Sequence, residues 1–582
     1  MTGPTRRQAL GLGALLCLAV AGLLLPGLGA APLERAEIYF VDAARAMVER
    51  GDYLVPYYRG EPFFDKPALT YWLIAGAFRA FGFGLAAARL VPAAAAVLVL
   101  VTALWLGRTL FGPASALLGG VVLATTGAFM VFGRIAMSDM LLTLWTMLAA
   151  ALAVQAFARG RAWPWVPLLG AVLGLGFLTK GPVAVLFPGL GIALLCWERR
   201  RERWPVTWGA VLAAAALFAV LGLGWFAAVG LRLGPEPLRY FFLRENLQRF
   251  AADTYDSGQP VWYYPATYLA QGLPWSLFLP LVAWNALAPP GAGDPARRAR
   301  VRWLLAWAAL MAVPLTLSRG KIDYYLLPLY PVLALAVGAQ LGQEWGRRER
   351  AWGRAVAALC GALLAAVPLL AGVFPAEWLP APSLLLPLMV LPALAALLCA
   401  LAALRGRPAL VVGTLAAVSA LGFVAARAVL VPAFAAAQPN AAVSADVGRE
   451  RSYRPDLTVA VCVDEARVQR AILFHARVPV QQQCDLWAAA ASPHPFLLLL
   501  REPERASLQA VENLREVGRY RYLPAQALTF GGVLAGARPA ELSLVANFAT
   551  SDPVAEMKRK RDRKRALHPE GYPQRDPGSS SR

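Results

Sequence analysis

The sequence predicts a polytopic α-helical membrane protein of about thirteen transmembrane helices with a small C-terminal α/β domain. Three observations predict it: a strongly apolar composition, repeated apolar runs of membrane length, and arginines gathered in alternate connections. Hydrophobic residues make up 58% of the 582 residues and charged residues only 16%, with a mean hydropathy of +0.52. A soluble globular chain carries about 25% charge, so the missing charge is replaced by surface that meets lipid. The formal net charge of +21 would point to nucleic acid in a soluble protein. Here most arginines lie in short loops between apolar runs, and no aromatic-interleaved basic patch is visible.

The first apolar run, about 9–31, comes after Arg6 and Arg7. It reads either as a signal peptide or, given its length, as a retained span; both export the polar stretch beyond it. Further spans fall near 84–106, 114–132, 138–158, 163–179, 183–197, 207–230, 264–286, 303–317, 323–342, 355–374, 382–404 and 409–432. One set of alternate connections carries Arg6 and Arg7, Arg108, Arg159 and Arg161, Arg199–Arg203, Arg297–Arg302, Arg347–Arg354, and Arg405 and Arg407. The positive-inside rule places that set in the cytoplasm. The other set, including 32–68, 133–138, 179–182, 231–263 and 318–325, is then periplasmic, as is everything beyond 432. A multi-pass protein of the bacterial inner membrane is expected.

Residues 1–435 thus form a transmembrane domain with exported loops 32–68 and 231–263. Leu457–Val463 and Phe496–Leu500 read as buried strands, and Glu465–His475 and Glu504–Leu514 as amphipathic helices, giving an α/β domain over 438–550. The tail 551–582 is basic, then rich in Pro, Gly and Ser, and reads as disordered. Cys17, Cys196, Cys360 and Cys399 lie in apolar runs. Cys462 and Cys484 lie in the exported domain, where pairing is open. His475, His494 and His568 are too scattered for a metal site.

The exported connections mix acids and bases at the membrane edge. They hold Glu37; Asp65-Lys66-Pro67; Asp139 after Ser138; Thr179-Lys180-Gly181-Pro182; Arg244-Glu245-Asn246-Leu247-Gln248-Arg249; and Lys321, Asp323, Tyr324 and Tyr325. Charges at membrane depth cost about 2.5–3.5 kcal/mol each on insertion scales. Cations and carboxylates gathered there suit a phosphate-bearing lipid and a reaction that moves a proton.

These stretches resemble bacterial lipid-linked sugar transferases of the GT-C superfamily, nearest to the 4-amino-4-deoxy-L-arabinose transferases of lipid A and their protein O-mannosyltransferase relatives. The resemblance runs from about 34 to 340. It is densest in Ala44-Arg45-Ala46-Met47-Val48-Glu49-Arg50-Gly51-Asp52-Tyr53-Leu54-Val55-Pro56, and continues through Asp65-Lys66-Pro67, Ser138-Asp139, Thr179-Lys180-Gly181, Tyr240-Phe241-Phe242, Leu273-Pro274-Trp275 and Gly320-Lys321. It implies an inverting transferase that takes a sugar from a polyprenyl (undecaprenyl) phosphate donor. The acceptor, lipid A, a glycan or a protein, stays open, as does the sugar. Lys66 and Arg249 would contact the donor phosphate, with Lys180, Lys321 and Tyr325 lining the same cavity and Glu245, Asn246 and Tyr324 near it. Asp65 would position the acceptor or a divalent ion. The family's opening Asp-Glu pair falls here on Ala36-Glu37, so the Asp is missing. The base is then Glu37, the preferred reading, or Asp139, or none is needed because the acceptor is already ionised. The rival classes are a polyprenyl-lipid transporter, whose characteristic repeated halves are not visible in this chain, and an inactive lipid-binding relative.

Overall fold

The computed structural model describes residues 5–31, 33, 34, 36–200, 206–248, 258–288, 294–371, 385–431, 439–461, 480, 481, 486–492, 494–508, 514–522 and 540–548. The chain divides into two compact units: residues 1–31, 36–373 and 383–432, and residues 32–35, 374–382 and 433–582.

The first unit opens with α1 (Arg6–Leu24), capped by the Thr5 side chain and stopped just before Pro26. The polar stretch after it is not plain loop. It holds α2 (Glu37–Arg50), closed by Gly51 at φ +67°, and a hairpin of β1 (Tyr57–Tyr58) and β2 (Glu61–Pro62). A further helix, α3 (Leu69–Phe81), precedes the first expected internal span. Then come α4 (Leu85–Phe111), α5 (Pro113–Ala124), α6 (Gly127–Phe132), α7 (Asp139–Arg159), α8 (Trp165–Lys180) and α9 (Val183–Glu198). Gly112 at φ +87° with Pro113 behind it divides α4 from α5, the helix-stop and helix-start pairing that backbone sterics favour.

Among the described residues seven helices are long and apolar enough to cross a membrane: α1, α4, α7, and the helices over Trp208–Leu233, Pro295–Leu317, Arg347–Val367 and Pro408–Ala428. Six shorter apolar helices lie between them, α5, α8, α9, Trp275–Leu287, Leu329–Leu341 and Val390–Arg405. Two expected spans are therefore divided. The run 114–132 breaks between α5 and α6, and 264–286 consists of Tyr263–Gln271, a 3₁₀ turn over Trp275–Phe278 and Leu279–Leu287.

Leu329–Leu341 lies at the centre, with every residue buried. It packs against α5 by removing side chains: a Cβ on Gly338 would sit 2.3 Å from the Gly119 backbone nitrogen. Small residues allow such backbone approach where lipid offers no hydrophobic drive. A buried ion pair pins the start of the unit. Arg89 on α4 bonds both carboxylate oxygens of Glu37, at 2.8 and 2.6 Å, and donates to the Leu28 and Ala31 carbonyls at 2.8 and 2.9 Å. Arg134 and Arg427 bond further carbonyls at the end of α1, which ties α1 to the rest of the unit.

The second unit holds a five-stranded sheet of β3 (Thr458–Val461), β4 (Val480–Gln481), β5 (Phe496–Arg501), β6 (Arg515–Tyr522) and β7 (Ala540–Ala546), in the order β4-β3-β5-β7-β6. β4, β3 and β5 are parallel; β5, β7 and β6 are antiparallel. Alternate residues of β5 enter two cores, Leu497 and Leu499 on one face and Leu498 and Leu500 on the other, which explains its unbroken apolar run. Helices Asn440–Tyr453 and Glu502–Ser507 belong to the same unit. The helix expected over Glu465–His475, the cysteines Cys462 and Cys484, His568 and the tail lie outside the described residues. Cys17, Cys196, Cys360 and Cys399 are free thiols.

Replacing Gly338 by Val puts two methyl-bearing branches where no Cβ fits. Overpacking of this kind costs about 1–3 kcal/mol or more, so Gly338→Val is expected to lower the melting temperature or abolish the monodisperse peak in gel filtration, with Gly413→Ala, in open space, as the silent control.

Candidate active site

Asp65 and Lys66 come directly after the β1–β2 hairpin and lead into α3. Tyr240 donates its hydroxyl to Asp65 Oδ1 at 2.8 Å. Lys66 Nζ donates to the Asp65 carbonyl at 2.7 Å and to Glu245 Oε2 at 3.3 Å. Tyr240 and Glu245 share a π-helical segment, Tyr240–Gln248, a wide helical form that often re-aims side chains at functional sites. Glu245 is only 2% exposed at its side chain and Lys66 20%, so the pair is partly withdrawn from water. Close to it, Tyr71 on α3 is fully buried, and among the described residues its hydroxyl has no hydrogen-bond partner. Burial, and then the Asp65 and Glu245 carboxylates, push its ionisation well above the usual phenol range. It therefore remains a neutral donor.

A second pair comes from two helix ends. Asp139 opens α7 and Lys180 closes α8, each at the terminus whose dipole favours its charge. Their side chains form a buried ion pair, and Lys180 Nζ also lies 4.9 Å from the Tyr325 ring centroid. The chain can turn at once into α9 because Gly181 has φ +74°; a Cβ there would sit 2.6 Å from the Phe241 ring. Lys321 is buried and donates to the Ser318 carbonyl at 2.7 Å.

These groups surround one cavity of about 680 Å³. Asp65, Lys66, Lys180, Glu245, Asn246 and Tyr325 line its polar part; Phe241, Phe242, Val183, Leu186, Phe187 and Leu315 line the rest. Segments from five distant parts of the chain, Leu142 of α7 among them, thus supply one pocket with a charged end and an apolar wall. Asp139 joins it through Lys180, and Lys321 flanks it beside Ser318 and Gly320. Tyr324 is turned to Phe132, 6.0 Å between ring centroids, and is not part of the lining. Arg249 lies outside the described residues.

Glu37 is not brought to this cavity. Its carboxylate is fully buried, Oε1 receives Arg89 Nε at 2.8 Å and the Ala136 amide at 2.7 Å, and Oε2 receives Arg89 Nη2. Glu37, the residue preferred as base from the sequence, thus stands outside the cavity lining with both carboxylate oxygens engaged by Arg89. The divalent ion considered beside Asp65 meets no cluster of ligands among the described residues: no three His, Cys, Asp or Glu side chains converge there, and Lys66 engages Glu245. Two residues to which sequence reasoning gave no site role matter here. Arg89 was detectable as a charge inside an apolar run, which requires a partner. Tyr240 stood in the resembling stretch Tyr240-Phe241-Phe242, but nothing in the sequence paired it with Asp65, 175 positions away.

The cavity has a charged end and an apolar wall, and the chain resembles the GT-C class of membrane transferases that act on lipid-linked sugars. Residues 65–225 match the family model described as dolichyl-phosphate-mannose-protein mannosyltransferase. Among curated proteins, the undecaprenyl phosphate-alpha-4-amino-4-deoxy-L-arabinose arabinosyl transferases of Edwardsiella ictaluri and Pseudomonas aeruginosa are each 32% identical, over 325 and 317 residues. These alignments cover 54% and 53% of this chain and 56% and 55% of the relatives, so the chain spans little more than half the length of the curated proteins it matches. The crystal structure of ArnT from Cupriavidus metallidurans bound to undecaprenyl phosphate superimposes with a TM-score of 0.70 at 21% identity, covering 93% of this chain and 98% of that one. The fold is shared along nearly the whole chain.

Removing one partner of a buried ion pair leaves the other charge stranded, at a cost of about 3–5 kcal/mol. Glu37→Gln is accordingly expected to lower the thermal stability of the purified protein, and the double variant Glu37→Gln/Arg89→Met to recover part of it. A Glu37→Gln protein of unchanged stability with no turnover would instead restore Glu37 as a catalytic group.

Proposed function

We propose that this chain is an inverting glycosyltransferase of the bacterial inner membrane that moves a sugar from a polyprenyl (undecaprenyl) phosphate to a lipid A, glycan or protein acceptor at the periplasmic face. The observation that carries the reading is the placement of Lys66 and Lys180 on one cavity whose remaining wall is apolar. A lipid phosphate needs cations at its head and hydrocarbon along its tail. The topology that goes with it has about thirteen spans, the arginine-rich connections in the cytoplasm, and the second unit as a periplasmic α/β domain.

In this reading the donor phosphate draws the ammonium groups of Lys66 and Lys180 from their resting partners Glu245 and Asp139. One cation about 4 Å from a phosphate oxygen is worth roughly 4 kcal/mol at an effective dielectric near 20. The bond between the sugar's anomeric carbon and the phosphate oxygen breaks, and its electron pair stays on the phosphate, whose growing charge the two lysines stabilise. The acceptor attacks from the opposite face, which inverts the configuration. A neutral acceptor passes its proton to a carboxylate; Asp139, released from Lys180, and Asp65 are the candidates on this cavity. An ionised acceptor such as a lipid phosphate needs none. Arg249 retains the donor-phosphate role that the family resemblance implies.

Loss of one preorganised cationic donor typically lowers turnover by about 100-fold or more. Lys66→Ala is expected to lose sugar transfer from polyprenyl phosphate donors to that extent while the protein still inserts, measured with radiolabelled donor in membranes. Full activity in Lys66→Ala sinks the assignment. Release of free polyprenyl phosphate from the donor separates a transferase from a transporter. Asp139→Asn and Asp65→Asn, compared at several pH values, identify the base: the variant that removes the acidic limb of the pH–rate profile held it.

A further inference from the structure

A second feature of the transmembrane unit lies away from the donor cavity and shares none of its lining residues. Between α1 and α4 runs an apolar groove. Its upper section, about 370 Å³, is lined by Ala21, Leu24, Leu25, Ala94, Val97 and Leu98, among others. It meets a lower section of about 640 Å³ at Ala21 and Val97, which continues to Leu10. From Leu25 to Leu10 the groove tracks α1 for about 22 Å at the helical rise per residue. One leaflet of hydrocarbon is about 15 Å deep, so an acyl chain entering at the top stays in the groove for the whole leaflet.

At the top of that groove stand two arginines. Arg134 Nη1 bonds the carbonyls of Leu24 and, at 3.0 Å, Pro26; its Nη2 bonds Gly27 at 2.7 Å. Arg427 Nη1 bonds Leu23 at 2.8 Å and Pro26 at 3.4 Å. Leu24 both lines the groove and receives Arg134. The negative end of the α1 dipole supplies only about half a charge against two guanidinium groups. Among the described residues no carboxylate pairs with either, since Glu37 is already taken by Arg89. Arg134 Nε and Arg427 Nε and Nη2 retain donors that no described residue meets. Burial, followed by the positive charges of Arg427 and Arg89, pulls the Arg134 ionisation down to about 10, so the cluster repels itself and yet stays charged at neutral pH.

We propose that Arg134 and Arg427 hold the phosphate monoester of an acyl lipid whose chain lies in the α1–α4 groove, at a site separate from the donor cavity. With the acidic and basic connections on the periplasmic side, this lipid belongs to the outer leaflet. Two cations without a carboxylate select a group carrying about −1.5 to −2 charges, as a monoester does near neutral pH, over a singly charged diester. The uncovered donors on both guanidinium groups match the several terminal oxygens of a monoester.

Binding measured on the purified full-length protein in neutral detergent, by native mass spectrometry, tests this without reference to sugar transfer. The probes are phosphatidic acid, a monoester; phosphatidylglycerol, a diester; and phosphatidylethanolamine. Phosphatidic acid is expected to bind about 10-fold more tightly than phosphatidylglycerol, roughly what one additional favourable charge contact gives, and Arg427→Gln to erase that preference. Because the arginines also hold the end of α1, Ala94→Phe serves as a companion: Ala94 is exposed on the groove, and the phenyl ring is expected to weaken all three lipids while leaving the arginines untouched. A monoester preference that survives Arg427→Gln, or lipid binding unchanged by Ala94→Phe, overturns the proposal. So does complete displacement by millimolar inorganic phosphate, which marks a free-anion site with no part for the groove.

Discussion

The first unit depends on one buried charge pair, Arg89 with Glu37. Neither charge reaches water, and each leaves the other stranded if removed, so α2 must dock where Arg89 waits on α4. The same guanidinium takes two carbonyls from the segment after α1, and the Glu37 carboxylate takes the amide of Ala136. Three separate stretches of chain are thereby tied to a single point. The connection that contains Ala136 ends at Asp139, and the helix that begins with Glu37 leads through the hairpin to Asp65 and Lys66. Both halves of the candidate site are anchored through this pair. Such pairs add little net stability compared with a well-packed apolar substitute; their effect is to penalise every other arrangement.

The cavity itself is built from charges that neutralise one another at rest. Lys66 leans on Glu245 and Lys180 on Asp139. In a pocket with phenyl and aliphatic walls, unpaired ammonium groups would be costly. On the proposed function, a phosphate in the pocket would substitute for the carboxylates as counter-ion and leave them free to meet an acceptor. A resting state of this kind holds the cations in place for a dianion without leaving them bare. The aromatic ring of Tyr325 beside Lys180 adds a weaker contact that does not have to be displaced.

The Ala36 position marks where a sequence comparison stops when one residue of a pair changes. Opposite the family's Asp-Glu, the surviving Glu37 is the natural heir to the missing carboxylate. In the structure that Glu bonds Arg89 and the Ala136 amide, and the carboxylates that touch the pocket, Asp65 and Glu245, or reach it through Lys180, Asp139, come from other segments. A proton acceptor is set by which oxygen atoms remain open towards the reacting groups, and adjacency in sequence does not report that.

Much of the fold was legible in the chain alone. Apolar runs of membrane length name helices because backbone groups in hydrocarbon must bond within their own segment, and the helices over Asp139–Arg159 and Pro408–Ala428 lie close to where those runs put them. The unbroken apolar run of Phe496–Leu500 marked a strand buried on both faces for the same kind of reason: the requirement is local. Lys66, Lys180, Glu245 and Tyr325 could be named as polar residues without an ordinary excuse at the membrane edge. What the sequence could not supply was their meeting. The Lys66–Glu245 and Tyr240–Asp65 contacts join residues 179 and 175 positions apart, and Arg89 meets Glu37 from 52 positions away. Those outcomes depend on how helices cross and which donor reaches an oxygen first. Only the tertiary structure decides such things, because long-range packing carries no period and no spacing along the chain.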